Sequence, residues 1–143
     1  MGATIEDQER RLRDLQAQAE ALELDVDNEG APSRRRALAG RLSVIASNAS
    51  RLHYLLAGWK DNDRRVRAVG AFLEALEAAS KKLAETSTDA PSGEELGLDL
   101  APVRAVLADR IARAGRRLRH LEADRDRARD AALEVVDPVA AAA

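Results

Sequence analysis

The chain has 143 residues, no cysteine, a net charge of −2 at neutral pH and single copies of Tyr, Trp and Phe. That length fits one domain; the missing thiols exclude disulfides and a cysteine nucleophile, and the near-neutral sum gives no global attraction to nucleic acid. No apolar run approaches the roughly 18 residues of a membrane span, and the opening MGATIEDQERRLRDL turns charged at once, so the expectation is a cytoplasmic protein with neither anchor nor signal peptide.

With 30 Ala and 19 Leu against few β-branched and aromatic residues, the composition favours helix and disfavours strand. Ala adds little volume to a core, so helices must approach closely or share a partner. The first segment spans 5–26, where Ile5, Gln8, Leu12, Leu15, Ala19, Leu22 and Val26 alternate steps of three and four, an a/d seam. Thr4 is its expected N-cap, and Glu6 and Asp7 suit the positive end of the helix dipole. Asn28, Gly30 and Pro32 mark its end.

A second segment is expected from the N-cap Ser33 to Ala57, with Leu38, Leu42, Ile45, Ala49, Leu52 and Leu56 on its seam and Leu55 widening it. Gly58 reads as a helix-ending residue, and Asp61, Asn62 and Asp63 as N-caps for a third segment. That segment, 64–85, carries Val66, Val69, Leu73, Leu76 and Leu83, with Ser80 between and Phe72 beside the seam. An acidic connection containing Pro, Gly and Ser follows at 86–101, with capping-box spacing from Ser92 to Glu95. The fourth segment begins near Pro102 and runs toward Val136, where Asp137-Pro138 stops it and a frayed tail, 137–143, follows. Its seam is Leu107, Ile111, Ala114, Leu118 and Leu121, then Arg125, Ala128, Ala132 and Val135. The reading is all-α: one domain over 1–143, an antiparallel bundle of about four amphipathic helices with coiled-coil-like seams.

Chemistry-bearing constellations are scarce. His53 and His120 lack the Glu three residues earlier that di-iron bundles use, HExxH is absent, and no GxSxG or glycine-rich phosphate loop occurs. No catalytic residue, metal or cofactor is expected. SRLHYLLAGWK around His53 resembles, over six residues, the phosphoacceptor helix of histidine phosphotransfer domains. Leu55 stands two after the His as in that family; Leu56 and Ala57 replace its base and glycine, and Gly58 comes one place late. The resemblance implies a helical bundle with His53 exposed, against a seam position that favours a packed imidazole. Trp59 reads as the cover of a core end or as a binding anchor.

Arginines cluster at Arg34, Arg35 and Arg36, at Arg64, Arg65 and Arg67, and at Arg116 and Arg117, the positions a nucleic-acid-contacting bundle would use. Arg125, Arg127 and Arg129 alternate with Asp124, Asp126 and Asp130, the pattern of a solvated, self-paired surface. Arg125 interrupts the fourth seam, and an unpaired charge does not suit a dry core. The expected function is therefore a non-enzymatic scaffold or interaction module that self-associates as a homo-oligomer or docks a protein partner. Its contact residues would be Trp59, Leu121, Arg125, Ala128, Ala132 and Val135. Nucleic acid is the less favoured partner, a phosphotransfer-like bundle a minor alternative, and a membrane is not expected.

Overall fold

The computed structural model describes residues 2–89 and 100–134, the side chains of 86–89 excepted. It is all-α. Three helices follow in order: α1 Ile5–Asn28, α2 Pro32–Asp89 and α3 Ala101–Leu133. Of the connection expected at 86–101, residues 86–89 belong to α2 and Ala101 opens α3; residues 90–99, with Ser92 and Glu95, and the tail from 135 onward lie outside the described residues.

α1 starts as its sequence demands. Thr4 accepts from the Asp7 N–H at 3.1 Å, and the Asp7 carboxylate accepts from the Thr4 N–H at 3.0 Å, closing a capping box. At its other end Glu29 is extended (φ −82°, ψ 121°), and its carboxylate accepts from the Ala31 N–H at 3.0 Å. The chain thus turns through an extended glutamate. α2 begins at Pro32 rather than after Ser33, because proline lacks only an N–H that the first turn leaves unpaired anyway.

The four expected segments are three helices. α2 passes through Gly58 and Asp61-Asn62-Asp63 without a turn. The physical reason is phase: Ile45, Ala49, Leu52, Leu56, Trp59, Asp63 and Val66 keep the alternation of four and three, and all seven are buried or half-buried. Gly58 costs the helix about 1 kcal/mol, too little to break a seam in register on both sides.

Two compact units divide the chain: residues 1–61 with 126–143, and residues 62–125. In the first, Ile5, Leu15 and Leu22 of α1 pack with Ile45, Ala49, Leu52 and Leu56 of α2 and with Ala132 of α3. Leu52 and Ala132 are fully buried. Gln8, the polar member of the α1 seam, is buried too, and its side-chain amide donates to the Ala132 carbonyl at 2.7 Å. A buried amide without such a partner would destabilise the fold by about 1–3 kcal/mol. In the second unit, among the described residues, α2 packs with α3. Val66 and Ala114 are its buried apolar residues among those described, while Val69, Leu73, Leu76, Leu107, Ile111, Leu118 and Leu121 are half-buried. Two helices cover less of each other than three do.

Candidate interaction surface

The residues expected to meet a partner are largely engaged within the fold. Trp59 and Leu133 pack against the apolar core of the first unit, and Ala132 has no exposed surface. Ala128 and Leu121 are half-buried. The end of α3 is tied to α1 by the Gln8 amide, which donates to the Ala132 carbonyl. Arg125 is paired, its guanidinium 3.5 Å from the Asp63 carboxylate, whose other oxygen is 3.0 Å from Arg67. Asp63 and Arg125 each occupy a seam position, so the two interruptions answer each other. The spacing that made Asp63 look like an N-cap concealed this pairing. Val135 lies outside the described residues.

The arginine clusters fall in both units. Arg34, Arg35 and Arg36 are exposed in the first turns of α2, in the first unit. Arg64, Arg65, Arg67, Arg116 and Arg117 are exposed in the second. His53 is exposed rather than packed, because the residue after a core position such as Leu52 is rotated about 100° away from it. It lines an open groove of about 600 Å³ with Gln16, Ala19, Glu20, Ala46 and Ser50. Among the described residues no group of three His, Asp or Glu side chains is placed to hold a metal ion, and no helix is long and apolar enough to cross a membrane.

A further feature, not apparent from the sequence alone, lies in the second unit. Val69 and Phe72 of α2 face Arg110, Arg113, Ala114 and Arg117 of α3 across a groove of about 290 Å³. Phe72 is 53% exposed, and farther along α3 Val103 and Val106 are 47% and 52% exposed. Beside Phe72, α2 presents the exposed small residues Ala68, Ala75 and Ala79. One wall is thus apolar and the other cationic. Arg113 forms an ion pair with Asp109 at 3.0 Å, one turn back on its own helix. The available signals were Phe72 beside a seam and the stretch 110–121, which carries five arginines and no acid. Comparison with known proteins returns no match: no protein-family model fits the chain, and no curated protein or solved structure matches it.

Proposed function

We propose that the chain is a non-enzymatic helical interaction module that docks a protein partner or a second copy of itself through the unit formed by residues 62–125. One observation carries the reading. Phe72, Val103 and Val106 are large apolar side chains left about half exposed in a unit whose described residues form two helices, and Phe72 lines a groove there opposite arginines. Exposed aromatics that keep a rigid helical setting are the usual anchors of protein interfaces. The coiled-coil-like seams support the same reading, since knobs-into-holes packing serves contacts between chains as well as within one.

The test places a photo-crosslinking amino acid at Phe72, with Val44 as a control exposed to a similar degree on the other unit. Discrete adducts from position 72 that are absent from position 44, or a concentration-dependent sedimentation coefficient abolished by Phe72→Ser, are expected. A monomer at every concentration with no adduct specific to position 72 overturns the reading.

Nucleic-acid contact is the second reading, favoured by the five arginines and absent acids of residues 110–121. Binding through them would weaken steeply with salt and would be indifferent to Phe72.

A further inference from the structure

We infer that the groove between Val69 and Phe72 on α2 and Arg110, Arg113 and Arg117 on α3 receives an acidic amphipathic helix of a protein partner; this rests on the interaction reading above and names the partner's chemistry. Three observations converge on it. The apolar wall, with half-exposed Phe72 and the buried Ala114 at the floor, suits aliphatic side chains repeating every third and fourth residue. The opposite wall is cationic, and among the described residues neither Arg110 nor Arg117 forms an ion pair. The third observation is internal to the chain. In the first unit an acidic helix already packs on α2 in this manner: α1, with eight acids against three arginines, buries its apolar seam there while Glu9 pairs with Lys60 at 3.1 Å. The second unit offers the same combination of apolar seam and cationic rim with no third helix of its own among the described residues.

Geometry sets the partner's pattern. Arg110 and Arg117 are one heptad apart, about 10.5 Å along α3. A helix lying along the groove meets both when it carries carboxylates seven residues apart, with a third between them for Arg113. Paired charges at the rim steer encounter and choose the partner, while the apolar contacts supply most of the affinity. Duplex nucleic acid would use the arginines and leave Phe72, the alanines, Val103 and Val106 without a role.

The experiment uses the full chain and two labelled three-heptad peptides with Leu at a and d, one with Glu at e and g and the other with Lys there. Fluorescence anisotropy at about 0.1 M salt should show binding of the Glu peptide and none of the Lys peptide. Arg110→Glu combined with Arg117→Glu should weaken the Glu peptide by about tenfold or more and create binding of the Lys peptide. Phe72→Ser should also weaken the Glu peptide by about tenfold. All three positions are exposed, so circular dichroism should match the parent; if it does not, Arg110→Gln with Arg117→Gln serves instead.

Equal binding of both peptides, or none of the Glu peptide, overturns the proposal. So does a duplex oligonucleotide that displaces the Glu peptide and binds the Phe72→Ser variant undiminished, which would assign the face to nucleic acid. If the Glu peptide fails while position 72 still crosslinks or drives self-association, the partner's chemistry is wrong and the interaction reading stands. If all of these fail, both readings fall.

Discussion

At the start of α1 two side chains and two backbone N–H groups satisfy one another. Asp7 accepts from the Thr4 N–H, and its own N–H donates to the Thr4 hydroxyl, while Arg10 lies 2.6 Å from the other carboxylate oxygen. The Thr4 backbone bond first, then the Thr4 hydroxyl and Arg10, hold the Asp7 carboxyl below its ordinary pKa. A carboxyl whose pKa is depressed on folding stabilises the folded state at pH above its unfolded value, and that contribution is lost as pH falls through the folded one. Protection of the first-turn amides should therefore be constant near neutrality and decline only below the ordinary carboxylate range. Asp7→Asn should remove this pH dependence, and Thr4→Ala should cost about 1 kcal/mol. Amide exchange of residues 4–8 as a function of pH checks both. A first turn whose protection ignores Asp7 would show that the box contributes nothing. Thr4 was legible in the sequence as the cap. Glu29 was not legible as the exit from α1, because the nearby Gly30 and Pro32 are stronger local signals for a helix end.

Within α2 the decisive position is Gly58. A helix-ending glycine with positive φ resists replacement, whereas a glycine inside a helix is stabilised by alanine. Gly58 lies inside, and an added Cβ would meet no atom within 4 Å. Gly58→Ala should raise stability by about 1 kcal/mol, read as a higher denaturant midpoint at unchanged slope. A loss of stability would restore the turn that the local sequence suggested. The seams themselves were readable because a/d spacing reports burial directly: among the described residues Ile5, Gln8, Leu15, Leu22, Ile45, Ala49, Leu52, Leu56, Val66, Ala114 and Ala132 are the buried ones, and each stands on a seam. The join at 58–63 departs from the turn its local sequence suggests for a physical reason. Gly and Asx residues stop a helix when nothing longer-range opposes them, and here the uninterrupted phase from Leu56 through Trp59 and Asp63 to Val66 does oppose them. The interaction face was hard to see for the complementary reason. It consists of residues just off the seam (Phe72, Arg110, Arg113 and Arg117), and such positions become a surface only once it is known which helix lies beside which.

On the scale of the whole molecule the two units differ in how completely they close their cores. Residues 1–61 with 126–134 gather eight buried apolar side chains into one cluster, including the fully buried Leu52 and Ala132. Among the described residues of 62–125, Val66 and Ala114 are the buried apolar ones, and most of the α2 and α3 seam is half-buried. Local opening follows the density of buried apolar contacts, so the second unit should open at lower free energy than the first. Native-state hydrogen exchange provides the measurement. Amides at 62–85 and 104–125 should exchange through openings that cost less than those at 38–57, although the first of these ranges belongs to the same helix as the last. Leu52→Ala should cost about 2–5 kcal/mol, because it empties a fully enclosed site. Val66→Ala should cost less, since a smaller side chain is lost where the surroundings are more open. If the Glu-bearing peptide seats in the groove, protection at 62–85 and 104–125 should rise on its addition, by the mass-action stabilisation a native-state ligand confers. The same addition should leave the amides of 38–57 unchanged unless their opening is global. Uniform exchange across both units, insensitive to Leu52→Ala in one and to the peptide in the other, would show a single cooperative body and remove the asymmetry on which the docking face depends.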